Sequence, residues 1–182
     1  MLHITIPEIE MYDSEKNLFY TTESKKFILE HSLISISRWE SKWKKPFLYK
    51  SEQKTNEELY DYIRCMSVGK QLSDFDVKNI PEDTLKDIIS YMGDSMTATW
   101  FREDKSKGKK KSNSIITSEK IYYWMTAYNI PFECEKWHIN RLLTLIRVCN
   151  EENNPRKMSR KDIMAENRVL NAARKAKLRT KG

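Results

Sequence analysis

Three observations predict an α+β fold that is mostly α-helical. Apolar residues alternate with polar ones over parts of the first 31 positions, the signature of strands with one buried face. From residue 32 onward they recur at helical spacing, bracketed by N-cap residues and prolines. The 182 residues are 39% hydrophobic, 32% charged and 11% aromatic, with four Gly and five Pro, a composition that suits one globular domain with a tail and excludes a collagen-like or fully disordered chain.

The elements follow in order. Leu2, Ile4 and Ile6 alternate with polar neighbours until Pro7, and Ile9 to Tyr12 and Asn17 to Thr21 flank the polar stretch 13–16, which predicts a hairpin. Phe27 to His31 adds a third strand. Leu33, Ile36, Trp39, Trp43 and Phe47 then follow helical spacing up to Pro46. Thr55 and Glu58 form a capping box for a helix bearing Leu59, Tyr62, Ile63 and Met66 and ending at Gly69. Pro81 opens another helix at its first position, with Leu85, Ile88, Ile89 and Met92 on one face and Gly93 at its end. Met96 to Phe101 and Ser114 to Ile116 predict a second short hairpin with 102–113 as its tip. Thr117 caps a helix over Glu119 to Tyr128, ended by Ile130-Pro131. A long helix is expected over Glu133 to Asn150, its stripe of Ile139, Leu142, Leu143, Leu145, Ile146 and Cys149 wide enough for a central core. Pro155 breaks the chain, and a last, weakly amphipathic helix runs from Ser159 to Arg179. The expected division is a globular domain over 1–154, β-rich over 1–31 and helical over 32–154, followed by a basic tail over 155–182.

Charge is unevenly placed. Residues 155–182 hold ten Lys/Arg against Asp162 and Glu166, so this segment carries +8 and residues 1–154 carry −1 of the total +7. A second run, Arg102 to Lys111, has six bases and two acids. Lys107, Lys109, Lys110 and Lys111 in the one patch, and Arg156, Lys157, Arg160, Lys161, Arg174, Lys175, Lys177 and Arg179 in the other, are the candidates for meeting a polyanion or an acidic protein. The alternative is a solvated tail that keeps the protein soluble. Aromatics that could stack on bases do not flank the tail, which weakens a single-strand-binding reading.

Chemistry-bearing patterns are few. No P-loop, dinucleotide fingerprint, nucleophile elbow or HExxH is present, so neither enzyme activity nor a cofactor is expected. Cys134 and His138 fall at i and i+4 of the expected long helix, but zinc takes three or four ligands. Cys149 lies roughly 22 Å further along such a helix, so no metal site is expected. A Cys134/His138 nucleophile pair lacks an orienting third group, and Glu133 and Glu135 would disfavour the thiolate. The cysteines at 65, 134 and 149 are odd in number and widely spaced, as in reduced cytosolic proteins. Neither a run of 18 apolar residues nor a secretory signal is visible. The aromatic clusters are dense, and mainly core at their helical spacing. Trp39, Trp43, Tyr122, Tyr123, Trp124 and Trp137 are the candidates for lining a partner groove, because Tyr122-Tyr123-Trp124-Met125 spans more than one helical face.

Leu29 to Leu33, Ser37 to Trp43, Met96 to Phe101, Trp137 to Ile146 and the closing Met158-Ser159-Arg160 with Asn171 to Arg174 together resemble a family of small proteins from the structural gene block of tailed bacteriophages, described as tail assembly chaperones. The resemblance covers nearly the whole chain. It implies a non-enzymatic protein of the infected host's cytoplasm, whose partners are the tape measure protein and the tail tube protein. It supplies no catalytic motif. Two other readings stand beside it: a permanent tail or connector subunit of the virion, and a nucleic-acid-binding protein that uses the basic tail. A membrane partner is not expected, and the oligomeric state is open.

Overall fold

The structure, a computed structural model, describes residues 1–49, 53–101 and 115–153, together with 164, 167, 168, 171 and 172. It is a mostly helical α+β fold. The chain divides into two compact units, Met1–Arg147 and Val148–Gly182.

Strands β1 (Leu2–Ile6) and β4 (Lys25–Leu29) pair antiparallel, with Ile4 opposite Phe27 and Leu2 opposite Leu29. Between them in sequence, β2 (Glu10–Asp13) and β3 (Leu18–Thr21) form the predicted hairpin as a separate two-stranded sheet. Its turn is built by Asp13, whose carboxylate accepts the Glu15 and Lys16 amides at 3.0 and 3.1 Å, and by Asn17 at φ 50°. A fifth strand, β5 (Ser67–Val68), pairs with β4 and gives the main sheet the order β1-β4-β5. Ile4, Ile6, Phe27 and Leu29 bury one face of this sheet, as the period-two pattern requires.

Helix α1 (Leu33–Trp43) starts at the N-cap Ser32, whose hydroxyl accepts the Ser35 amide. It stops before the predicted Phe47. A residue ahead of a proline disfavours helix, and Lys44 instead takes a left-handed cap at φ 56°, turning the chain so that the Phe47 amide donates to the Glu40 carboxylate at 2.7 Å. Helix α2 (Asn56–Cys65) opens on the predicted capping box of Thr55 and Glu58. It ends four residues before Gly69, because Ser67 and Val68 are drawn into the sheet and the Met66 carbonyl accepts the Glu30 amide.

Helix α3 (Asp74–Lys78), not foreseen in the sequence, has its own capping box of Ser73 and Asp76 and is tied to β4 by a Lys25–Asp76 ion pair of 2.7 Å. In α4 (Glu82–Gly93), Pro81 occupies the N-cap rather than the first helical position. The second hairpin does not form among the described residues: 95–101 and 115–117 carry no strand. Met96 sits at φ 51°, and the Asp94 and Thr97 side chains accept nearby amides that a ladder would need.

Helix α5 (Ser118–Ala127) follows Thr117 as predicted. The expected long helix from Glu133 is two elements. A 3-10 turn (Phe132–Lys136) ends at an extended Trp137, and α6 (Ile139–Asn153) begins afresh. The break has a tertiary cause: His138 bridges to Ser32, and the Ile139 amide donates to the His31 carbonyl at 2.7 Å. Leu33, Ile36, Trp39, Tyr62, Ile63, Met66, Ile88, Ile121, Met125, Ile139 and Leu142 form the buried core. Of the predicted α6 stripe, Ile139, Leu142 and Ile146 are buried, whereas Leu143 and Leu145 are half-exposed.

In the second unit, 164, 167, 168, 171 and 172 are helical, within the predicted last helix. The start expected at Ser159 and the end expected at Arg179 lie outside the described residues. No helix among the described residues is long and apolar enough to cross a membrane.

Candidate interaction surface

The six predicted aromatic contacts separate by environment. Trp39 is 1% exposed, and its indole N–H donates to the Glu58 carbonyl at 2.8 Å. It is a core residue and not a groove residue, because α2 packs over the face of α1 that carries it. Trp43 stacks on Trp39 with centroids 6.1 Å apart and donates to Asp61 at 2.8 Å, so it is half-buried and committed. Trp137 is half-buried under the Arg141 guanidinium, 4.3 Å from its ring centroid. Tyr122 directs its hydroxyl to Glu135 at 2.8 Å, and burial, then the carboxylate, raise its pKa.

Tyr123 and Trp124 stay outside the core, as four consecutive large residues on one helix require. On α5, Met125 and Ile121 enter the core, while Tyr123 is 69% exposed and Trp124 half-exposed beside Lys120. Phe132, at 57% exposure and 6.4 Å from the Tyr122 ring, extends this aromatic face onto the 3-10 turn.

A second apolar surface was not singled out from sequence. On the β2–β3 hairpin Leu18 and Phe19 are 62% and 70% exposed, and Tyr12 and Tyr20 are also open. Phe19 lies against Tyr12 on one face with centroids 4.9 Å apart, and the Tyr20 hydroxyl reaches the Met11 sulfur on the other. A two-stranded ribbon is marginally stable alone; this one carries apolar side chains on both faces and has no third strand among the described residues. The available signal was the unbroken run Leu18-Phe19-Tyr20, which lacks the alternation of a strand with one wet face.

Histidines outside the predicted surface also meet. His31 and His138 stand edge to face with centroids 5.1 Å apart. His31 Nδ1 bonds to the Tyr62 hydroxyl. His138 Nδ1 accepts the Asn140 amide at 3.3 Å, so its Nε2–H donates to the Tyr91 carbonyl at 3.0 Å. Burial, then the neighbouring His138, hold the His31 pKa down to about 3. Burial also lowers His138, against the hydrogen bond to Tyr91. These bonds fix the start of α6, and both rings are buried. Among the described residues no group of three or more His, Cys, Asp and Glu is placed to hold a metal ion.

Cys134 and His138 are not on one helical face, because the 3-10 turn and the extended Trp137 separate them. All three thiols are free, and burial raises the pKa of Cys65 and Cys134. Lys107, Lys109, Lys110, Lys111, Arg156, Lys157, Arg160, Lys161, Arg174, Lys175, Lys177 and Arg179 all lie outside the described residues.

No protein-family model, curated protein or solved structure matches the chain.

Proposed function

We propose that this chain is a non-enzymatic binding protein of tailed-phage morphogenesis, a tail assembly chaperone that covers the tape measure protein while tail tube subunits assemble. The observation that carries the reading is the hairpin, where Leu18, Phe19, Tyr12 and Tyr20 project from a ribbon that buries none of them. Contiguous apolar surface on a soluble body marks an interaction site. Long helices with uncovered apolar stripes are aggregation-prone until packaged, and a chaperone needs such a surface to cover them. The open ring of Tyr123 and the neighbouring Phe132 offer a second contact. The partners, and a site of action in the host cytoplasm, are what the resemblance implies.

Co-expression tests this reading. The phage's tape measure protein is expected to precipitate when expressed alone, and to remain soluble and co-purify with the wild-type chain but not with Leu18→Ser/Phe19→Ser. A tape measure protein that precipitates equally with and without the wild-type chain overturns it. The basic tail favours a second reading, nucleic-acid binding through residues 155–182. That reading requires affinity that falls steeply with salt and vanishes on truncation after Asn154.

A further inference from the structure

We infer that β3 pairs edge to edge with β3 of a second copy of this chain, joining the two hairpins into one four-stranded sheet. The inference uses the hairpin's edge and not its faces, and it does not depend on the chaperone reading. Main-chain bonding within the ribbon fixes which groups β3 has on offer. The Thr22 amide donates to the Ile9 carbonyl at 2.8 Å, so Thr22 and Ile9 are a hydrogen-bonded pair. Antiparallel pairs alternate. Tyr20 with Met11 is therefore bonded, whereas Phe19 opposite Tyr12 and Thr21 opposite Glu10 are non-bonded pairs. The N–H and C=O of Phe19 and Thr21 thus point away from β2, towards the outer edge. All four residues of β3 are exposed, Phe19 by 70%.

Three features select a second copy as the occupant. The two outward-facing residues flank Tyr20, so a two-fold axis at Tyr20 sets Phe19 of each copy opposite Thr21 of the other. Each outward donor then meets an outward acceptor, as an isologous contact requires. Charge selects this edge over the other. Leu18 to Thr22 carries no charge, proline or glycine, the devices that keep natural edges single. β2 and its lead-in carry Pro7, Glu8, Glu10 and Asp13, whose like charges oppose self-pairing. The two ends of β3 are also of opposite sign. Lys16 precedes it and Glu23 follows it, both exposed, and antiparallel pairing about Tyr20 brings Lys16 of each copy alongside Glu23 of the other. In this register the two Tyr20 rings face each other in a non-bonded pair, where cross-strand side chains lie closest. Tyr12 and Phe19 of both copies share one face of a sheet that has passed the three strands an independent sheet needs.

The test is the mass of the full chain by analytical ultracentrifugation over about 1 μM to 1 mM, the range in which a small interface associates. A monomer–dimer equilibrium is expected. Thr21→Pro removes an outward N–H from each copy and spares every bond to β2, and Tyr20→Lys sets two like charges opposite each other. Each variant, with an unchanged melting curve, is expected to weaken the dimer by about tenfold. Tyr20→Glu is expected to do the same alone. An equal mixture of Tyr20→Lys and Tyr20→Glu chains is expected to restore association, which damaged folding would not allow. A chain that stays monomeric throughout, a dimer indifferent to Thr21→Pro, or a mixture that associates no better than its separate components would each overturn the inference. No tape measure protein is present in the measurement, so such a failure leaves the chaperone reading standing.

Discussion

Glu40 joins three parts of the fold, and its removal tests the packing account. Its carboxylate is 7% exposed and accepts two buried amides, Phe47 and Ser118, each at 2.7 Å. The first closes the turn after α1. The second satisfies the first amide of α5 from 78 residues away in sequence, where a negative charge also meets the positive end of the helix dipole. Thr117, the residue that the sequence marks as cap, makes no capping bond, and its hydroxyl meets Glu119 instead. Glu40→Ala leaves two buried donors unpaired at about 1–3 kcal/mol each, partly offset by no longer burying a carboxylate, for a net loss of about 2–4 kcal/mol. Glu40→Gln keeps one acceptor oxygen and is expected to cost about 1–2 kcal/mol. Thr117→Ala is expected to cost under about 0.5 kcal/mol, since no capping bond is lost. Urea unfolding with unchanged m-values is the assay. A Glu40→Ala variant within about 0.5 kcal/mol of wild type, or one less damaging than Thr117→Ala, would refute the reasoning.

Three further outcomes are expected. Because His31 is neutral in the fold with a pKa near 3 and ordinary when unfolded, the unfolded state binds the extra proton between about pH 6.5 and 3; stability is therefore full above that window and falls on acidification by up to about 1.4 kcal/mol per pH unit. His138 adds to the fall in the same direction; His31→Gln should flatten the profile between pH 6.5 and 5, and a wild-type profile already flat there would contradict the assignment. Leu142→Ala, at a fully buried position, should cost about 2–5 kcal/mol in urea unfolding, and Leu143→Ala, half-exposed on the same helix, clearly less; equal costs would mean that both sides of α6 are core. Leu18→Ser/Phe19→Ser should leave the melting temperature within a few degrees while lowering tape measure affinity by about tenfold or more; a folded variant that binds as wild type would remove the hairpin from the interface.

Local signals carried most of the fold. The β1 alternation, the Asp13 turn, the Thr55–Glu58 box and the Pro131 stop are written within a few residues, and each formed where its chemistry pointed. The misses are tertiary. Nothing near Glu133 says that the chain must stop being helical at Trp137; the Ser32–His138 bridge and the His31 carbonyl decide it from over a hundred residues away. Likewise, Ser67-Val68 is too short to show a period, and only the adjacent β4 makes it a strand. The candidate surface was legible in part. Tyr123 and Trp124 follow from the impossibility of burying four consecutive large residues on one helix. Trp39 and Trp43 read mainly as core at their spacing, with a partner groove as the alternative, and α2 leaves the first in the core and the second half-buried and committed.

The central claim is a transient role at the tail. A nuclease-treated pull-down of the tagged chain from infected cells, read by mass spectrometry beside purified virions, tests it most directly. The account predicts recovery of a long helical tape measure protein, with this chain missing from washed virions. Stoichiometric recovery of the chain in mature virions would contradict it and make the hairpin a permanent subunit interface.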